Sequence, residues 1–441
     1  MASLLQLPRE LSLQVFSYLS LGDKAQMSAT CKKYRLHLAP ELFATISFTN
    51  EDDIAQSALA AVKAHGTLTT RIEFTPSATG EDKFVSPALV PAASELLRGR
   101  HTPNARAAQI HFAFDFDASL DWEETYIRSW GNNHSNSIWV FQPEETEAEI
   151  EPKEQQYRWR ALMTETWAAL AENVHVTDLT VRELVPKWTS AFRTAQFRDF
   201  LGRLESATLS IWGGDDGECK SSMIQGYVEW LSKDLGGAFF RHMTKLRHLA
   251  IHASKCGALG AEGDRYIPLP LEPGDFPVLE SLALANCYVG PELVAFVGGH
   301  VHAAAVLRRL DVDGCVSRGL PDFEPSSPSC WAEFFDQIYA LRSSALAELV
   351  VGRAHVPLGS MWAGDDEDKG ESVPEAREIR RRLEEEPGRK LFGYCFQDVT
   401  EGTFWPVGEK NREAFWLGDD QRAYDRLMDL VERNAARAGA S

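Results

Sequence analysis

Eight short apolar segments of one kind recur along this chain and narrow its fold more than any other feature. They are RIEF at Arg71, QIHF at Gln109, DLTV at Asp178, TLSI at Thr208, HLAI at His248, SLAL at Ser281, RLDV at Arg309 and ELVV at Glu348. Their second residues lie 38, 69, 30, 40, 33, 28 and 39 positions apart, and counting the 69 as two units gives a mean near 35. A period of roughly 20 to 50 residues marks a repeat array, in which each unit buries its apolar face against its neighbours. Between the segments run stripes spaced by three or four residues: Trp159, Leu162, Met163, Trp167 and Leu170; Phe192, Phe200, Leu201 and Leu204; Met223, Tyr227, Trp230 and Leu231. Leu293, Phe296 and Val297 form another, and Trp331, Phe334, Phe335, Ile338 and Leu341 the last. Each predicts a helix that covers a strand. Strand and helix in alternation predict an α/β fold, a parallel strand ladder backed by helices.

Two successive units share finer spacing. Leu279, Leu282, Leu284 and Cys287 are matched by Leu307, Leu310, Val312 and Cys315 at the same offsets, which resembles the leucine-rich-repeat pattern. The cysteines fall where the chain leaves each strand, a place for a small buried side chain.

Composition excludes several function classes. With 441 residues, 44% apolar and 25% charged, the chain has ample material for a core, and its length suits about three domains or one elongated array. Forty-five basic against 64 acidic side chains give a net charge of -19 and a pI near 5.1. Such a field repels phosphate backbones, so neither nucleic acid nor an anionic membrane is expected as a partner. The cluster Arg380, Arg381 and Arg382 lies among Glu378, Glu384, Glu385 and Glu386 and reads as a solvated helix face. Seven scattered cysteines without a C-x-x-C pair argue against a disulfide framework or a thiolate zinc site. The first residues lack the features of a secretory signal, and no apolar run reaches 18 residues, so a cytosolic or nuclear protein is expected.

The N-terminal segment is different in kind. In LPRELSLQVFSYL, Leu7, Leu11, Val15, Phe16 and Leu19 share a helical stripe, with Pro8 in the first turn. A second helix should start at Ser20, capped by that serine with Asp23 reaching back, and carry Leu21, Ala25, Met27 and Cys31. A third should run from Lys32 to Leu38 and end near Pro40, after which Leu42, Phe43, Ile46 and Phe48 lead out. Three helices in so few residues cannot hide so many large apolar groups among themselves. The surplus requires a partner surface.

The run LLQLPRELSLQVFSYLSLGDKAQMSATCKKYRLHLAPELFATISF resembles an F-box: a Leu-Pro-x-Glu-Leu opening, an apolar helix ending in Tyr-Leu, a Leu-x-Asp turn, and a small-residue helix closing in Cys-Lys. The tryptophan common after that cysteine is replaced by Tyr34. The expected layout is an all-α F-box of three short helices over 1–48 and an irregular leucine-rich-repeat-like solenoid over 49–356 with an acidic loop near 121–157. An acidic loop and charged helix follow over 357–389, the loop being GDDEDKGES at 364–372, and a capping strand (in FGYCFQDV) and helix over 390–441.

An F-box followed by such repeats resembles the substrate-recognition subunits of SCF ubiquitin ligases, particularly those of filamentous fungi. The resemblance implies binding to the SCF adaptor protein and through it to a cullin, with an unknown protein substrate as the other partner and no cofactor. Leu7, Pro8, Leu11, Val15, Phe16 and Leu19 supply the adaptor anchor. Outward positions on the strands nominate Arg182, Trp212, His252, Arg309, Asp311 and Asp313 for substrate contact. The acidity of the chain suggests a basic substrate surface. An adaptor-bound scaffold working without a cullin has the same sequence signature.

Enzymatic motifs are missing: there is no G-x-x-x-x-G-K-[ST], G-x-S-x-G, H-E-x-x-H or G-x-G-x-x-G. GGDDGECKS at 213–221 is too acidic for a phosphate loop and reads as a surface turn. Asp311 and Asp313 would share a strand face without further oxygen ligands, and His300 and His302 have no nearby third ligand. Cys31 reads as a packing residue within a helix. No catalytic residue and no metal site are expected.

Overall fold

The computed structural model describes residues 9–78, 87–114, 116, 126–127, 135–136, 140–143, 147–214, 220–260, 267–302, 307–319, 330–352, 356–359, 373–397 and 404–439. Three helices, α1 (Arg9–Ser17), α2 (Leu21–Thr30) and α3 (Lys32–Leu42), precede one parallel sheet whose nine strands stand in chain order. These are β1 (Thr45–Thr49), β2 (Arg71–Thr75), β3 (Ala107–His111), β4 (Asp178–Leu184) and β5 (Ser206–Ile211), then β6 (His248–His252), β7 (Ser281–Ala285), β8 (Arg309–Asp311) and β9 (Glu348–Val350). All eight segments singled out by their period are rungs of this ladder. The ninth rung, β1, is TISFT, which apart from Thr49 falls inside the segment read from sequence as helical module and exit.

Two columns of pairs stay in step across the strands. One column runs Ile46, Ile72, Ala108, Leu179, Ala207, Leu249, Leu282, Leu310, Leu349, every member opposite the next. A second runs Phe48, Phe74, Ile110, Val181, Leu209, Ile251, Leu284. Both columns are buried throughout. A one-residue slip would turn each apolar pair to the wrong face, so the alternation itself fixes the register. Behind these columns pack the helices Asp52–His65, Pro91–Leu97, Arg158–Ala171, Ala195–Leu201, Pro291–His302 and Trp331–Ala340. In the first of them Asp52 and Asp53 open the helix while Lys63 and His65 close it, the arrangement that complements the helix dipole.

The far end of the ladder is closed by the helix Asp419–Gly439, which lies along Trp331–Ala340 and against β9. Asn434 Nδ2 donates to Ser343 O at 2.8 Å and to Leu346 O at 2.9 Å, and Trp331 Nε1 donates to Gly393 O at 2.9 Å. The strand in FGYCFQDV, Tyr394–Gln397, adds no rung: it pairs with Ser317–Arg318 and Phe404–Pro406 in a separate small sheet. The stretch 121–157 is not loop throughout. Ile150–Gln156 is helical, and Val140 and Phe141 are buried in the core. Buried Lys187 holds them, its Nζ donating to Val140 O at 2.6 Å and Gln142 O at 2.7 Å. The GDDEDKGES segment lies outside the described residues.

Candidate functional surfaces

The N-terminal helices close a small core of Phe16, Tyr34 and Leu38, against which Leu19, Met27, Cys31 and Leu42 pack. Ser20 caps α2 as its position requires, with Oγ accepting from the Asp23 amide at 3.2 Å and donating to Asp23 Oδ2 at 2.7 Å. Cys31 is not within a helix. It is the extended residue between α2 and α3, and its Sγ accepts from the Tyr34 amide at 3.5 Å. Helix α3 runs through Pro40 to Leu42, because proline's lost donor and ring displace only a last-turn bond to the carbonyl of exposed Leu36.

The α1 stripe divides. Leu11 is 48% exposed and Val15 39%, whereas Phe16 is fully buried. The expectation that Phe16 belongs to an outward anchor is therefore corrected: it fills the inside, where it packs with Tyr34 and Leu38. Leu19 is half-buried, and Leu7 and Pro8 lie outside the described residues. Helix α2 buries no side chain at all, and Tyr18, Leu21 and Leu36 stand 83%, 64% and 75% exposed. Apolar groups so exposed on one small module make it a candidate docking surface.

A second surface is the ladder face away from the helices. Parallel sheets are ordinarily covered on both sides; here the outward column Ser47, Glu73, Gln109, Thr180, Thr208, Ala250, Ala283 and Asp311 is exposed or half-buried. Its middle is floored by small side chains. At the edge of that floor β4 carries a bulge: Val181 pairs with Leu209 but Leu184 with Ile211, so one extra residue is inserted. Glu183 takes φ 56°, the left-handed region that side chains avoid, and Arg182 and Glu183 are both exposed. His111 Nε2 lies 3.3 Å from Glu183 Oε2, and His252 Nδ1 lies 3.3 Å from Ser210 Oγ.

Of the six residues nominated for substrate contact, Arg182 and His252 stand at this place. Trp212 does not: it is buried, stacked on Phe141 with centroids 4.7 Å apart and 4.9 Å from Phe116, because the chain has left β5 and turned into the aromatic core. Arg309 and Asp311 lie at the distal end, joined at 2.8 Å, with Glu348 on the same guanidinium. Asp313 is past the end of β8 in a turn, its amide donating to Asp311 Oδ1 at 3.0 Å, so the two aspartates do not share a strand face. His111 and Glu183 were missed. For His111 the signal was present, since it follows Ile110 exactly as Arg182 follows Val181; a bulge with positive φ at a glutamate has no sequence signal.

Chemistry finds little purchase. Among the described residues no three His, Cys, Asp or Glu side chains gather to hold a metal. His300 faces Phe296 O at 3.0 Å through Nδ1 and Phe276 O at 3.2 Å through Nε2, which occupies both ring nitrogens. Cys287 and Cys315 donate to Ala285 O and Leu284 O, and burial pushes the Cys315 thiol up. A thiol so placed is a poor nucleophile. No described helix is long and apolar enough to cross a membrane.

Residues 4–49 match the family model described as F-box-like, a span of about a tenth of the chain that includes α1 to α3 and β1. This domain supports reading the chain as an F-box protein. No curated protein matches the chain.

Proposed function

We propose that this chain is a non-catalytic substrate-recognition subunit of an SCF-type ubiquitin ligase. The F-box-like module docks on the SCF adaptor through Leu11 and Val15, flanked by Leu19 and the exposed Tyr18, Leu21 and Leu36, and the adaptor brings a cullin. The open face of the leucine-rich-repeat-like ladder takes the protein substrate. The observation that carries the reading is the pairing of a closed core at Phe16 with exposed leucines around it on an F-box-like domain. Exposed apolar side chains on a module whose interior is already filled are free to become the anchors of an interface.

Co-expression with the SCF adaptor and cullin, followed by gel filtration, tests it. Wild type should elute in a ternary complex, and a Leu11→Ala, Val15→Ala double variant should be lost from it, each truncated anchor costing about 2 kcal/mol of binding. A complex with adaptor but no cullin would instead make the chain an adaptor-bound scaffold. A chain that elutes alone refutes both.

A further inference from the structure

We propose that the open ladder face seats an extended peptide segment by gripping a side-chain carboxylate with Arg182. The proposal deepens the reading of that face as the substrate surface and rests on it. Arg182 is exposed, and among the described residues its guanidinium has no partner. At the distal end of the same face Arg309 is engaged by both Asp311 and Glu348. The adjacent carboxylate of Glu183 is turned to His111 and leaves Arg182 unengaged.

The backbone supports the assignment. In a regular strand Arg182 and Glu183 would face opposite sides; the bulge and the left-handed Glu183 put both on the open one. Such a conformation is strained, and strain of this kind concentrates at binding sites. Beside Arg182 the floor is Thr180, Thr208 and Ala250, small enough for a peptide main chain to approach, with Ser210 and His252 at its rim.

The chemistry of the ligand follows. A guanidinium fork matches a carboxylate in a bidentate pair. A phosphate dianion would meet Glu183 with only one fixed positive charge to offset it, so a monoanion is favoured. Among the described residues the face continues over neighbouring rungs on both sides, which suits an internal Asp or Glu rather than a chain end. The sheet's own main-chain groups are spent in the ladder, which leaves recognition to side chains.

The test uses the full chain with short, end-blocked fluorescent peptide pools that share randomised flanks and differ only at the centre: Glu, Gln or phosphoserine. The Glu pool should bind roughly tenfold more tightly than the Gln pool, as a charge-assisted pair implies, and Arg182→Gln should abolish that preference while Arg437→Gln, on the C-terminal helix, keeps it. Equal binding of the Glu and Gln pools, binding of neither, a preference for phosphoserine, or a preference that survives Arg182→Gln overturns the proposal. Gel filtration of the same Arg182→Gln protein with adaptor and cullin separates the two readings. A retained complex with no Glu preference sinks only this inference, whereas a wild type that forms no complex sinks the ligase assignment.

Discussion

The rings of Phe16 and Tyr34 meet edge to face, centroids 5.4 Å apart and planes at 87°, and this contact divides the first helix into an inner and an outer side. Phe16 turns inward to it, while Leu11 and Val15 remain outside. The two sides should therefore fail differently on truncation. Phe16→Ala should destabilise the module by about 3–5 kcal/mol, the usual loss for a buried aromatic. Leu11→Ala should leave thermal unfolding unchanged and weaken only adaptor binding. Circular dichroism melts beside a binding titration check this, and a Leu11→Ala melt that falls as far as that of Phe16→Ala would refute it.

The ladder could be read from the chain because its information is local. Alternation of apolar and polar residues over four positions states both the strand and its buried face, and recurrence near 35 residues states the stacking. The same logic missed β1, since Thr45–Thr49 sits directly after a helical module whose pattern was the stronger claim on those residues. It failed at Phe16 and Trp212 for a related reason. A helical stripe says which residues lie together, but whether they meet the chain's own core or a partner depends on what that core lacks. Tyr34 and Leu38 needed Phe16, and Phe141, arriving from an acidic stretch that looked like loop, needed Trp212.

Trp212 belongs to that core, and its removal should act on stability. It touches Phe116 and Phe141, and Tyr227 O–H donates to its carbonyl at 2.9 Å. Trp212→Ala should cost about 3–5 kcal/mol in a denaturant melt. If the variant instead unfolds as wild type does, Trp212 is not packed as described.

The bulge at Glu183 makes a second stability prediction of opposite sign. Glycine adopts φ 56° without penalty, so Glu183→Gly should leave stability unchanged or raise it by up to about 1 kcal/mol, offset by the loss of an exposed contact to His111. Glu183→Val, β-branched at the same φ, should lower it. Paired thermal melts of the two variants give the answer, and an ordering with valine above glycine would show that β4 is not bulged there.

Asp420 ties the closing helix to the rest of the fold, and burial, its largest influence, lifts its carboxyl above the ordinary aspartate range. Its Oδ2 accepts from Tyr394 O–H at 2.8 Å and its Oδ1 from the Ala332 amide at 2.9 Å. A carboxyl raised on folding binds its proton more tightly in the native state. Its contribution is thus greatest at acid pH and is lost as pH rises from the unfolded value, near 3.9, through the folded one. Asp420→Asn keeps both contacts, the tyrosine hydroxyl turning from donor to acceptor, and has no charge to desolvate. The stability of Asp420→Asn relative to wild type should therefore rise between about pH 4 and pH 7. Asp420→Ala leaves a hydroxyl and an amide without an acceptor and should cost about 1–3 kcal/mol at acid pH, a cost that shrinks as pH rises because it too has lost the titrating carboxyl. Denaturant melts of the three proteins at several pH values decide it: a gap between wild type and Asp420→Asn that does not change with pH would mean that Asp420 titrates as it does in the unfolded chain.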